Sequence, residues 1–124
     1  MLLHHLTGNS LEESSANVSR AIGEAFRVLG PGGKLIIVES CVPWWFYRFE
    51  KVIFPLAAKV ISRFLEHPAT LQFPASMIDE LLRKFTPKVE LTPISRRRWL
   101  LQYGMKYPAV LTPVVPYRFV ASKT

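Results

Sequence analysis

The chain has 124 residues, of which 49% are hydrophobic and 20% are charged, and its formal net charge is +7. This length and composition are typical of one modest folded domain and exclude a disordered polar chain. A single cysteine excludes an internal disulfide and favours a reducing, cytoplasmic setting, and no apolar run is long enough for a membrane-spanning helix. The positive charge favours anionic partners, although a basic domain without such a partner explains it equally well.

The first part of the chain predicts the end of a strand followed by an amphipathic helix. Met1–Leu6 is apolar and indicates the strand end. Ser10 and Glu13 fit a capping box, in which the hydroxyl accepts a backbone N–H and the carboxylate reaches back. Glu24 lies on the charged face of the helix and can pair with arginines on either side. The apolar positions at helical spacing are Val18, Ile22, Ala25, Phe26 and Leu29.

A Pro-Gly-Gly turn and an apolar strand follow this helix. Gly30 suits the left-handed position that closes a helix, and Gly32 supplies the positive φ of a type II turn after Pro31. Lys34–Glu39 is a continuous run of mostly β-branched residues. Such a run is typical of a strand covered on both faces, as in a parallel sheet.

A second helical pattern spans Trp44–Leu65, with Pro55 inside it as a kink or a break. Its aromatic residues follow the strand directly, and core packing or a cover over a ligand is the first interpretation. A helix lying on an anionic membrane surface is the second, because one face is basic. The aromatic residues are Trp44, Trp45, Phe46, Tyr47 and Phe49, and the basic ones are Arg48, Lys51, Lys59 and Arg63.

The last part of the chain predicts one more helix and two strands. Pro74–Phe85 has a buried stripe at helical spacing and acidic residues ahead of basic ones. Val89–Ile94 indicates a strand, and Pro93 within it favours an edge position, where a missing N–H costs little. Tyr117–Ala121 alternates and predicts the final strand.

Several polar residues are candidates for chemistry, each with a plainer alternative. Cys41 follows an apolar strand and is interpreted as a small buried hydrophobe rather than a nucleophile. His4 and His5 are adjacent, so on a strand they point to opposite faces and cannot form a metal pair. The run Arg96–Arg98 can contact phosphates or nucleic acid, but a solvated basic loop is the commoner meaning of such a run.

The element order and the motifs resemble the C-terminal half of a class I S-adenosylmethionine-dependent methyltransferase. The residues that carry the resemblance are Leu3-His4-His5-Leu6, Phe26-Arg27-Val28-Leu29, Pro31-Gly32-Gly33-Lys34-Leu35 and Glu39. The match is nearest to small-molecule methyltransferases of the type related to quinone-biosynthesis enzymes. It implies a single half-domain over residues 1–124, three-layered and partly Rossmann-like, with a helical insertion at about 43–73.

The resemblance also implies a function and a set of site residues. Methyl transfer from S-adenosylmethionine to a small, apolar acceptor is expected, with His4 and His5 beside the cofactor. The residues expected to line the acceptor site are Glu39, Ser40, Trp44, Trp45 and Phe46. No Gly-rich cofactor loop occurs in the sequence, so the isolated chain is expected to bind S-adenosylmethionine poorly.

Two kinds of protein therefore remain open on the sequence alone. The first is a methyltransferase whose first half is missing from this chain. The second is a non-catalytic, truncated module that self-associates or lies on a membrane surface. Self-association is expected in either case, as a homodimer through the edge of the Lys34–Glu39 strand, because an unpaired apolar strand recruits another chain.

Overall fold

The computed structural model describes residues 3–6, 8, 10–49, 52, 72–96 and 113–124. Most of the predicted second helix, including Pro55, Lys51, Lys59 and Arg63, lies outside these residues. The elements are a 3-10 turn η1 (Leu3–His5), helix α1 (Leu11–Val28), strand β1 (Lys34–Cys41), the helical residues 44–49 (α2), helix α3 (Ala75–Arg83), strand β2 (Val89–Pro93) and strand β3 (Val115–Ser122).

The three strands form one sheet in the order β1-β3-β2, and β3 is antiparallel to both neighbours. The expectation that β1 lies covered on both faces, as in a parallel sheet, is therefore wrong. β1 and β2 run in the same direction, but β3 lies between them. The continuous apolar run of β1 reflects only partial burial, since Ile36 keeps 62% of its surface exposed.

Helices α1 and α3 pack on one face of the sheet and enclose the core. Phe119 and Ala121 of β3 are fully buried in the same cluster as Ile22 of α1 and Ile78 of α3. Arg118 alternates with these strand residues and is exposed. The expected third layer is not found in the described ranges, which form two layers: helices on one face and a sheet whose other face carries exposed side chains. The class α/β holds.

The start of α1 agrees with the sequence, but its end does not. Ser10 Oγ accepts the Glu13 N–H at 3.1 Å, as a capping residue does. Gly32 has a positive φ of 73°, as predicted for the turn, but Gly30, which was expected in the left-handed conformation, does not have a positive φ. A distant cation closes the helix instead: Lys123 Nζ donates to the carbonyl oxygens of Phe26 and Leu29, both at 2.7 Å. Lysine is well suited to this place, since the last carbonyls of a helix are unpaired and partly negative.

The two glycines of this turn give a matched pair of substitutions. Gly32→Ala is expected to lower the free energy of unfolding by about 1 kcal/mol, because an L residue is disfavoured at positive φ. Gly30→Ala is expected to change it little, since the added methyl group meets no atom within 4 Å. Urea unfolding measures both. Equal losses in the two variants would contradict the assignment of the left-handed position.

The remaining helix and strands lie close to their predicted positions. α3 covers most of Pro74–Phe85, and its buried residues are Ile78, Leu81 and Leu82. Asp79 accepts from Arg83 Nε at 2.8 Å, one turn along the helix. β2 is an edge strand, as Pro93 predicted.

The position of Pro93 follows from the alternation of an antiparallel ladder. The Ile94 N–H donates to the Pro116 carbonyl at 2.9 Å, so Ile94 faces β3. Because neighbouring residues point their backbone groups to opposite sides, the nitrogen of Pro93 faces away from β3 and no ladder bond is lost.

The outer edge of β1 has no strand beside it in the described part of the chain. The Lys123 N–H donates to the Gly33 carbonyl at 2.8 Å, so alternate residues of β1 from Leu35 onward face β3. The backbone groups of Lys34, Ile36 and Val38 consequently face the open edge. An apolar groove of about 250 Å³ lies there, between this edge and the Ala21–Ala25 turn of α1.

Candidate functional site

The carboxyl ends of β1 and β2 lie at the same end of the sheet, because both strands are antiparallel to β3. A second cavity, also of about 250 Å³, opens at this end. It lies between the start of α2, the start of α3 and the first residues of β3. Its lining includes Cys41, Trp44, Ser76, Arg96, Val115 and Tyr117.

Trp44 forms one wall of the cavity and is held by two elements. Its indole Nε1–H donates to Ser76 Oγ at 2.9 Å, which ties the start of α2 to the start of α3. Its ring meets Tyr47 edge to face, with centroids 5.5 Å apart. Half of the Trp44 surface is still exposed, so the ring is fixed in orientation yet available to a ligand.

Arg96 and Tyr117 reach the cavity from the sheet. The Ile94–Pro116 hydrogen bond extends the β2–β3 ladder past Pro93 and brings the chain to Arg96 beside the start of β3. Tyr117 pairs with Pro93 across the ladder and is half-buried against the core. The described residues that line the cavity include one guanidinium group and no carboxylate.

Glu39 and Ser40 are buried at the end of β1 and do not line the cavity. The Glu39 carboxylate is 1% exposed and accepts the Leu3 N–H at 2.9 Å and the Ser40 N–H at 3.1 Å. Since Ser40 faces the open edge of β1, this carboxylate lies at that edge. It holds η1 beside the carboxyl end of the strand and thereby has a structural role.

His4 and His5 lie in η1, not on a strand, so the expectation of a strand end in Met1–Leu6 is wrong over Leu3–His5. The reason is local: the Leu6 N–H donates to the Leu3 carbonyl at 3.0 Å and closes a turn. His5 is exposed beside Arg20 and Glu24 of α1 and does not line the cavity. The described part of His4 is its backbone.

Trp45 and Phe46 form an edge-to-face pair with centroids 5.6 Å apart. Trp45 is 66% exposed, whereas Phe46 is partly buried against the core. Neither lines the cavity. Of the residues expected to line an acceptor site, Trp44 is therefore the one that lines this cavity.

Sequence reasoning missed Ser76, Arg96 and Tyr117 as neighbours of Trp44. Arg96 stood out only as part of a basic run, and Tyr117 only as a strand residue. The available signal was that Trp44 and Arg96 each follow the end of a predicted strand. Only the strand order shows that these two strand ends lie on the same side of the sheet.

Cys41 is buried, as predicted, and it is not an activated nucleophile. Burial raises the pKa of its thiol to about 12, and the negative charge of Glu39 contributes in the same direction. At pH 8 the thiol is therefore almost entirely protonated.

Cys41 is therefore expected to resist a thiol reagent such as iodoacetamide at pH 8 in the folded chain and to react in 6 M guanidinium. Mass spectrometry after a timed reaction measures this. The matched positive control is Val28→Cys in a Cys41→Ser background, because Val28 is well exposed. Labelling of Cys41 at the rate of that control would show that the thiol is accessible.

The described residues contain no group of three or more His, Cys, Asp or Glu side chains that converge as metal ligands do. Within the same ranges, none of the helices has the length and hydropathy needed to cross a membrane. No protein family, no curated protein and no solved structure matches this chain.

Proposed function

We propose that this chain forms the acceptor-binding part of a class I S-adenosylmethionine-dependent methyltransferase. Its reaction is the transfer of a methyl group to a small acceptor with a flat, apolar body. The observation that carries the proposal is the cavity at the carboxyl ends of β1 and β2, which is lined by Trp44 and Tyr117. In α/β sheets the carboxyl ends of the strands are the usual place for a small ligand.

The element order supports the same proposal. A helix, a Pro-Gly-Gly turn, a strand, helical residues, a helix, a strand, a connection and a last strand follow one another as the resemblance implies. The turn takes the conformation that its glycines predicted at Gly32. The motif residues Phe26 and Leu29 supply the carbonyl oxygens that Lys123 binds, so the motif has a definite place in the fold.

The described residues suit the acceptor but do not fit the cofactor. Glu39, the acidic residue at the end of β1, is already bound to the N–H groups of Leu3 and Ser40. His5 lies outside the cavity, and no Gly-rich loop is present in the sequence. No step of the reaction is therefore assigned to these residues through the cofactor, and their role is to bind and orient the acceptor.

A cofactor titration follows from this lack of fit. The 124-residue chain is expected to show no binding of S-adenosylmethionine at tens of micromolar by calorimetry. The backbone cradle that normally approaches this kind of ligand is not in the sequence. Stoichiometric, low-micromolar binding would contradict the expectation and would place a cofactor site within these residues.

Methyl transfer itself is tested with the protein made from the whole natural reading frame that contains this sequence. Methyl-labelled S-adenosylmethionine and a hydroquinone carrying one isoprene unit are the substrates, and label in the hydroquinone is expected. Trp44→Ala is expected to lower kcat/KM at least tenfold, whereas the neighbouring Trp45→Ala is expected to leave it nearly unchanged. Absence of transfer to this and other small phenols would contradict the proposal.

The second candidate is a non-catalytic module that pairs with a copy of itself along β1. The observation that favours it is the open edge of β1. The backbone N–H and C=O groups of Lys34, Ile36 and Val38 face this edge and are arranged symmetrically about Ile36. Glu39 occupies the Ser40 N–H and ends the free edge at Val38. Two such edges can pair antiparallel about Ile36, with Lys34 opposite Val38 of the copy.

The oligomeric state tests this candidate and is measured by size-exclusion chromatography with light scattering. The chain is expected to be a dimer at high micromolar concentration and Ile36→Lys a monomer, because charges at a strand edge oppose pairing. Val120→Lys is the matched control, since Val120 is opposite Ile36 in the ladder but on the inner strand. A monomeric parent chain would contradict this candidate and leave the acceptor-binding proposal unaffected.

A further inference from the structure

We infer that the cavity at the carboxyl ends of β1 and β2 binds an aromatic carboxylate. The ring would lie between Trp44 and Tyr117, and the carboxylate would meet the guanidinium of Arg96. This inference rests on the proposed function as far as it names the acceptor, but the binding itself needs no cofactor. It changes the expected acceptor from a purely apolar molecule to one that carries an anionic group.

The charges around the cavity favour a negatively charged ligand. Arg96 is the charged residue among the described lining residues, and it is exposed to solvent there. The ion pairs found in the described ranges join Arg27 to Glu24 and Arg83 to Asp79, and neither involves Arg96. A guanidinium group with no carboxylate of the described residues beside it is a ready partner for a planar, bidentate anion.

The size and the lining of the cavity favour a flat ring as the ligand's body. Its volume of about 250 Å³ suits one or two fused rings rather than a long chain. Trp44 is fixed by its hydrogen bond to Ser76, so its face is presented without a large loss of side-chain entropy on binding. Val42 and Pro74 are buried and close the inner side with apolar surface.

Arg96, unlike the nearby Arg118, lies where its guanidinium group can meet a ligand in the cavity. It lies two residues beyond Ile94, whose N–H donates to the Pro116 carbonyl at 2.9 Å, so the chain leaves the sheet close to Arg96. Arg118 provides a contrast within the same region. It neighbours Tyr117 on β3, but its side chain points to the opposite face of the sheet, and it does not line the cavity.

The experiment is a calorimetric titration of the 124-residue chain with 2-naphthoate and with the neutral 2-naphthylmethanol. The acid is expected to bind at least tenfold more tightly than the alcohol. Arg96→Gln is expected to weaken the acid at least tenfold and to leave the alcohol unchanged. Trp44→Ala is expected to weaken both ligands. Arg118→Gln, which removes the same charge from the other face, is expected to change neither.

Two outcomes would overturn the inference. Equal affinities for the acid and the alcohol would show that no anion site exists, and equal effects of Arg96→Gln and Arg118→Gln would show that only net charge matters. Thermal unfolding of each variant checks the fold, which exposed substitutions leave intact.

The result also separates this inference from the proposed function. Naphthoate binding that depends on Arg96, without methyl transfer by the natural protein, would retain the site and reject the enzyme. Methyl transfer confined to neutral acceptors and unaffected by Arg96→Gln would retain the enzyme and reject the site.

Discussion

Phe119→Ala is expected to lower the free energy of unfolding by about 4 kcal/mol, a larger loss than is expected for Glu39→Ala or Leu91→Ala. Phe119 is 0% exposed and lies on β3, the central strand of the sheet. It is opposite Ile37 in β1 and opposite Leu91 in β2, and its ring packs against Tyr117 with centroids 6.3 Å apart. Removal of the ring leaves a cavity under both helices that the sheet cannot close.

The control for Phe119 is its neighbour across the ladder. Leu91→Ala, on the edge strand, is expected to cost about 1 kcal/mol, because Leu91 is 41% exposed and loses little buried surface. Urea unfolding followed by tryptophan fluorescence measures both variants. A loss at Phe119 no larger than that at Leu91 would mean that the core of the chain lies elsewhere than between α1, α3 and β3.

Glu39→Ala is expected to lower the free energy of unfolding by about 3 kcal/mol. The carboxylate is buried and accepts the N–H groups of Leu3 and Ser40. Its removal leaves two buried donors without this acceptor, and each such donor costs roughly 1–3 kcal/mol. The connection between η1 and β1 is lost with it, so the amide of Leu3 is expected to exchange faster with deuterium.

Glu39→Gln and Glu90→Ala complete this comparison. The glutamine keeps one oxygen as an acceptor but turns an amide N–H₂ toward the second donor, so an intermediate loss is expected. Glu90 is exposed on β2, and its replacement by alanine is expected to have little effect. If Glu39→Ala behaved like Glu90→Ala, the buried carboxylate would not be holding η1 in place.

Local features of the sequence were sufficient where the physical cause is itself local. The capping residue Ser10, the glycine turn at Gly32, the stripe of α3 and the edge position of Pro93 are examples. In the first two the cause is a backbone group within a few residues, and in the last two it is a property of the residues themselves: the spacing of apolar side chains and the missing N–H of proline. The strand positions of β1, β2 and β3 were predicted to within a few residues for the same reason.

The candidate site was predicted only at one residue, Trp44. Glu39 and Ser40 were expected around a ligand, but both are buried, and Glu39 is occupied by η1. Periodicity identifies which residues belong to a strand, but not which side of the strand end holds a cavity. Arg96 and Tyr117 line the same cavity as Trp44 because β3 lies between β1 and β2.

The sequence by itself determined the kind and order of the elements, since hydrophobic period, caps and turns act over short distances. The tertiary structure decided how they come together. It alone decided the antiparallel insertion of β3, the closure of α1 by Lys123, the burial of Glu39 and the placement of Trp44 and Arg96 around one cavity. These contacts join residues distant in the chain, and a strand pattern has the same appearance whichever neighbour it pairs with.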